Sequence, residues 1–317
     1  MPIRSTNLKV KYISNDIIED LLEHEWHSVI EAVEKAFLDS TADMVPKIYL
    51  DGWGGDFRAM PAALGDYAAM KRIGVFPLNW QKNSRHTTSG VLVLSDRRTG
   101  ETLAVMDCRT LTAYRTAATS AIAAKYCAPD AEEFAFIGCG LQAKYHIEAY
   151  EAIYGHMHME VQLYDHNKSS MRQMFNWIGR ENICHAWGWK ESVKQAVKYA
   201  DVITTLTPST EGYLDILDLK SNCHINAVGA DAEGKRELMT NVIDGSANII
   251  CDDPQQALHS GELQYNEWPH LDINSLKYLI KNNKTMQLNK GVSVFDSTGV
   301  AIEDIAIAEL IYRLVHK

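Results

Sequence analysis

The chain has 317 residues, 46% of them hydrophobic and 23% charged, the proportions of a globular protein that buries its own core. At ~150 residues per domain that length suggests two domains. Its 31 Lys and Arg against 41 Asp and Glu leave a net charge of −10, which excludes nucleic acid and anionic membranes as partners unless a strong local basic patch exists. The densest basic stretch, Lys82 to Arg98, is interrupted by Asp96 and apolar residues. Six cysteines (Cys108, Cys127, Cys139, Cys184, Cys223 and Cys251) lie scattered without a CxxC pair and read as buried thiols. The start, MPIRSTNLKVKYIS, holds no signal-type apolar run, and no stretch approaches the ~20 apolar residues of a membrane span. The cytoplasm is the expected compartment.

In chain order, residues 15–40 read as one amphipathic helix, with Ile17, Ile18, Leu21, Leu22, Val29, Ile30, Val33 and Phe37 at helical spacing. From 48 to 107, β-type runs (KIYL, SGVLVLSD, TLAVMD) broken by glycines, Pro61 and Pro77 predict an antiparallel sheet, with a hairpin turn at 96–100. The Ala-rich segment 111–128, closed by Pro129, predicts a helix. Beyond it, strands over 133–138, 158–165, 184–188, 201–207, 224–231 and 248–253 alternate with helices over 141–155, 168–179 and 190–199. That alternation predicts a doubly wound parallel sheet, an α/β fold of Rossmann type. A last helix runs over 299–317. The domain boundary is placed near residue 120. Residues 1–120, joined by 299–317, form an α+β domain, and 121–298 the Rossmann domain.

Gly138-Cys139-Gly140-Leu141-Gln142-Ala143 is GxGxxA directly after a predicted strand and opening a predicted helix. Glycines there allow a tight turn and close backbone approach to a pyrophosphate, which the helix N-terminus then attracts. The same turn also occurs in α/β folds that bind no nucleotide. Asp165 ends the second strand 27 residues after Gly138, near the offset of the carboxylate that accepts bonds from the adenosine ribose. A carboxylate there repels a 2′-phosphate and favours NAD over NADP, although Lys168 softens the preference. Alternatively, Asp165 is a solvated strand end.

Ligands of open α/β sheets bind beyond the carboxyl ends of the strands. One predicted end delivers Thr207-Pro208-Ser209, polar groups suited to a ribose or nicotinamide. Another delivers Gly229-Ala230-Asp231, where a carboxylate can exchange a proton during hydride transfer. Asp231 reads equally as the N-cap of a helix starting near Arg236. In the first half, Lys47, Arg58, Lys71 and Arg115 stand beside glycines, prolines or a helix start. Arg115, inside an apolar helix, demands a partner. An anionic ligand would serve, and so would a structural ion pair.

Taken together, DFRAMPA (56–62), Lys71, TGETLAVMD (99–107), RTAATSAIAAKY (115–126), IGCGLQA (137–143), TPS (207–209), VGAD with Lys235 (228–235) and DSTGVAIEDIA (296–306) resemble the ornithine cyclodeaminase/mu-crystallin family. The resemblance implies a homodimer whose first domain binds substrate and dimerises. It implies substrate binding by Lys47, Arg58, Lys71, Arg115 and Lys235, and catalysis by Asp231 with Lys71. For the cofactor it implies Thr88, Arg115, Thr116, Gly138, Gly140, Leu141, Gln142, Asp165, Thr207, Pro208, Val228 and Ser297. No metal is implied. The implied activity is NAD-dependent deamination at the α-carbon of a small L-amino acid through an imine, as in conversion of ornithine to proline and ammonia. The alternatives are an alanine dehydrogenase-like or N-substituted amino-acid dehydrogenase, and a mu-crystallin-like binding protein without turnover. Lys47 stands where cyclodeaminases carry Arg, and RIGVFPLN (72–79) also departs from their pattern.

Overall fold

The computed structural model describes residues 10–79, 85–265, 271–285 and 291–316. Most of the amino-terminal run inspected for a signal, and Lys82 of the basic stretch, lie outside them. The chain divides into two compact units, one of residues 1–25, 39–115 and 301–317, the other of 26–38 and 116–300.

The first unit is built on a sheet of seven described strands: β1 (Lys11–Ile13), β2 (Asp43–Met44), β3 (Ile48–Gly52), β4 (Gly55–Leu64), β5 (Tyr67–Val75), β6 (Thr88–Asp96) and β7 (Thr102–Asp107). Their order is β1-β7-β6-β5-β4-β2, with β3 also on β4. All pairs are antiparallel except β1 on β7, which is parallel. Alternation on β4 buries Arg58, Met60, Ala62 and Leu64, and on β5 it buries Ala69, Lys71 and Ile73. Two cations thus share a row with core side chains.

The predicted helix over 15–40 is two helices, α1 (Asn15–Leu22), capped by Ser14, and α2 (Trp26–Leu38). Ile18, Leu22, Trp26, Val29 and Val33 keep one continuous spacing, so periodicity cannot reveal the break. The division between the units falls at that break, with α2 counted in the second unit.

Helix α3 (Cys108–Cys127) starts directly after β7 and carries Arg115, the last residue of that segment of the first unit. Among the described residues of the second unit, eight strands form an all-parallel sheet. They are β8 (Glu133–Ile137), β9 (Glu160–Tyr164), β10 (Ala186–Trp189), β11 (Val202–Thr205), β12 (His224–Ala227), β13 (Asn248–Cys251), β14 (Ile273–Ser275) and β15 (Ser293–Asp296). The order β10-β9-β8-β11-β12-β15-β13-β14 reverses direction beside β8, which is the doubly wound arrangement. The short β14 and β15 go unread in the sequence, and β15 inserts between β12 and β13. Helices α4 (Leu141–Tyr154), α5 (Lys168–Glu181), α6 (Val193–Val197), α7 (Thr240–Asp244), α8 (Pro254–Ser260) and α9 (Leu276–Lys281) complete the unit. Helix α10 (Ala301–Val315) belongs to the first. The six cysteines are free and buried, and among the described residues no helix is long and apolar enough to cross a membrane.

A polar chain runs through the second unit's core. His224 reaches Ser293 and Asn226, Asn226 donates to Tyr150 and to the Ser120 carbonyl, and His146 bonds the Ser120 hydroxyl and the Gln142 carbonyl. Burial pushes both histidines down to about 4. Between pH ~6.5 and 4 the unfolded chain binds two protons that the folded one refuses, so stability is complete above ~6.5 and declines as pH falls toward 4. The ceiling is about 3 kcal/mol per histidine at 1.36 kcal/mol per pKa unit. Urea midpoints at pH 7 and pH 5 check this: His224→Gln shows a smaller acid-side loss than the parent, and an identical loss contradicts it.

Candidate functional site

The glycine turn lies between β8 and α4 at the carboxyl end of the central strand. Gly138 has φ +100°, and a Cβ there would sit 2.9 Å from the Leu206 carbonyl oxygen, so conformation and space both demand glycine. Gly140 differs. Its φ is −87° and a Cβ would meet nothing within 4 Å, so neither the backbone nor the packing requires glycine there. It is exposed, and it caps α4 without a side-chain bond. An open approach to the start of a 14-residue helix, with glycine where only an outside group would gain from it, fits a dinucleotide pyrophosphate.

Asp165 stands just past β9, with one oxygen accepting from the Cys139 N–H at 2.8 Å and the other from the Asn167 N–H at 2.7 Å. It is therefore tied to the glycine turn rather than left as a loose strand end. Lys168 pairs with Glu191 at 3.2 Å, so its charge is met within the protein. Leu141 and Gln142 open α4, and the Gln142 Oε1 is buried with no hydrogen-bond partner among the described residues.

Past β11, the Thr207 N–H and hydroxyl both donate to Glu237 at 2.7 Å, so the hydrogen-bonding groups expected to meet a ribose or nicotinamide are held inside the protein. Pro208 is exposed. Val228 and Ser297 are buried, their N–H groups bonded to Thr205 and Ala227 carbonyls. Past β12, Asp231 pairs with Lys235 at 2.6 Å, and its side chain is 30% exposed. No helix starts near Arg236; the next begins at Thr240, capped at Met239. The capping reading of Asp231 is thereby corrected, because the segment 232–239 folds as turns and extended chain. Thr116, in the part of α3 counted with this unit, is buried.

The first unit carries the cations. Lys71 Nζ, 1% exposed, donates to Asp304 at 2.7 Å and to the Thr112 hydroxyl at 3.4 Å. Arg115 pairs with Glu303 at 2.7 Å and with Asp304 at 3.1 Å. Arg115 therefore finds protein carboxylates from the first turn of α10, the structural pairing that its burial left open. Burial pulls the Lys71 amine below its ordinary value, with Arg115 adding to the effect against the attraction of Asp304. Arg58 is 4% exposed and grips Asp56 through two bonds of 2.6 and 3.2 Å. Lys47 is half-buried, 6.0 Å above the Tyr49 ring centre, and Thr88 opens β6 opposite Val75. Among the described residues, no group of three or more His, Cys, Asp or Glu is arranged to hold a metal ion. Sequence reasoning missed Glu303, Asp304 and Glu237, since acidic residues within helical or polar stretches carry no local mark of burial.

A doubly wound sheet with a glycine turn at its switch point defines a dinucleotide-binding α/β protein, here with a second unit bearing buried cations. The chain belongs to the ornithine cyclodeaminase/mu-crystallin family, whose description matches residues 14–317. It is 34% identical over 315 residues to an alanine dehydrogenase of Archaeoglobus fulgidus, covering 95% of this chain and 94% of that one. It is 34% identical over 269 residues to an ornithine cyclodeaminase of Agrobacterium tumefaciens, covering 83% and 73%. A solved archaeal alanine dehydrogenase dimer with bound NAD matches with a TM-score of 0.88 at 32% identity, covering 97% of this chain and 96% of that one.

Proposed function

We propose that this protein is an NAD-dependent enzyme acting at the α-carbon of a small L-amino acid through an imine. The observation that carries this is the glycine turn, whose Gly140 leaves space that none of the described residues fills, in a chain matching an NAD-bound relative almost end to end. The turn of Gly138 and Gly140 with Asp165 would hold NAD, which when bound would supply the hydride acceptor. The other parts are this chain's own. Arg115 and Lys71 attract the substrate carboxylate, drawing on charges now shared with Glu303 and Asp304. Lys71, with its basicity lowered by burial, exchanges a proton more readily than an exposed lysine. Asp231 accepts the amine proton as the imine forms, and Lys235 holds its carboxylate in place. Lys47, Arg58 and Thr88 contribute to the substrate and cofactor surroundings.

Similarity over 95% of the chain to an alanine dehydrogenase favours release of a 2-oxo acid and reduced cofactor over the ornithine-to-proline course. Cyclodeamination remains the second reading, favoured by the match to an ornithine cyclodeaminase. A panel of L-amino acids incubated with NAD separates them by absorbance at 340 nm and ammonia assay. A dehydrogenase gives both signals in equal amounts, a cyclodeaminase gives ammonia alone, and a binding protein gives neither, which would overturn the reading. A homodimer is proposed with it, supported by the dimeric archaeal relative.

Asp165 sets the cofactor preference in this reading. NAD should bind more tightly than NADP, and Asp165→Ser should narrow the gap by relieving repulsion of a 2′-phosphate. Equal affinities in the unmodified protein, measured by fluorescence titration of the reduced cofactors, contradict that role.

A further inference from the structure

Glu237 lies in the polar stretch GKRELM yet is wholly buried. Its carboxylate takes five hydrogen bonds, one from the end of β11 and four from the loops that follow β11 and β12. Oε2 accepts from the Thr205 hydroxyl and from the Gly229 N–H, both at 2.7 Å. Oε1 accepts from the Thr207 N–H and hydroxyl, both at 2.7 Å, and from the Tyr213 hydroxyl at 2.9 Å. Every one of these donors is neutral. Burial pushes the carboxyl pKa up while the donors pull it down.

Glu237 is itself anchored. Its N–H and that of Leu238 donate to the two oxygens of Glu262 at 2.8 and 3.2 Å, and its carbonyl accepts from the Tyr213 and Leu214 N–H groups. Gly229 has no side chain because a Cβ would lie 2.5 Å from the Glu237 carboxyl carbon and 2.2 Å from the Thr207 carbonyl oxygen. Holding one loop would need only a neutral acceptor, at a smaller desolvation cost. A carboxylate has two oxygens, each able to accept more than one bond, enough to bind N–H groups of two loops at once. Those loops follow β11 and β12 and end in Thr207-Pro208 and in Asp231, whose own N–H is bonded to the Gly229 carbonyl at 3.1 Å.

We infer that Glu237 is a positioning residue: its buried carboxylate joins the loop after β11 to the loop after β12 and so fixes the place of Asp231. This rests on the reading of Asp231 as the proton-transfer group. Glu237→Gln keeps the size but turns an amide toward N–H and O–H donors, which leaves at least one of them unpaired. With the amino acid found by the panel, the variant should lose roughly 10- to 100-fold in kcat, the scale expected for a displaced reacting group, with substrate KM within about threefold. A purely structural role would lower the melting temperature and leave the folded fraction turning over normally. A folded Glu237→Gln with parental kcat overturns the inference. Should that variant fail to fold, Tyr213→Phe removes one donor and retains the charge. It should show a smaller kcat loss at constant KM, and an unchanged kcat overturns the inference equally. Asp231→Asn, assayed beside them, keeps the two claims apart. If it is as active as the parent, the reading of Asp231 has failed. If it is inactive while the Glu237 variants are normal, only the positioning role has failed.

Discussion

Replacing Asp231 with Asn lowers turnover by roughly 10²–10⁴-fold, the usual contribution of general acid–base catalysis, while NAD affinity and melting temperature change little. Asn occupies the same volume but cannot take a proton at neutral pH. Its amide also faces Lys235, 2.6 Å from the parent carboxylate, so the ion pair is lost with the base. That pair is about a third exposed on the Asp side, so its loss costs little stability. The competing explanation, a helix cap, has no helix to act on near Arg236. Near-normal turnover of the Asn variant on the substrate found by the panel would remove Asp231 from the mechanism.

Asp304→Ala should be the most destabilising single change in the first unit, by about 3–5 kcal/mol. The carboxylate is 1% exposed and meets both Lys71 at 2.7 Å and Arg115 at 3.1 Å. Removing it strands Lys71 in a dry place with the repulsion of Arg115 unopposed, while Arg115 keeps Glu303. Lys71 escapes part of the penalty by releasing its proton, so the loss should be smaller at pH 9 than at pH 6. The sign follows from a lysine whose folded pKa lies below its unfolded value: its stability is complete above the unfolded pKa and declines as pH falls. Denaturant midpoints of parent and variant at the two pH values measure this. Pairing Asp304→Leu with Lys71→Met should recover much of the loss, because an apolar pair of similar volume often replaces a buried ion pair without cost. A loss below about 1 kcal/mol in Asp304→Ala would mean that the cluster is wetter than its burial indicates.

Much of the second unit was legible because its signals are local. A strand, a GxGxxA turn and a helix follow each other within about 20 residues; Gly138 carries its meaning in the backbone it permits and Gly140 in the space it leaves open. Lys71 and Arg58 were suspect as lone cations among apolar and glycine-rich neighbours, and strand alternation turns both toward the core. What the sequence concealed depends on long-range packing. Glu303 and Asp304 read as ordinary helix-start acids, favourable at the positive end of α10, and nothing nearby says that they face Arg115, 188 and 189 positions earlier. Glu237 looks like a solvated charge until Gly229 is seen to make room for it. The break between α1 and α2 was invisible because one apolar spacing runs through both. The strand β15 is four residues long, and it is identified by pairing with β12 and β13 rather than by its composition.

In the proposed reaction, hydrogen leaves the α-carbon of an amino acid directly for the nicotinamide. Its most direct test uses the amino acid identified by the panel, deuterated at the α-carbon, in a single turnover with NAD. Mass spectrometry of the dinucleotide should find the reduced cofactor one mass unit heavier, in step with loss of the label from the amino acid. Reduced cofactor formed without deuterium, or label lost to water instead, would contradict the account.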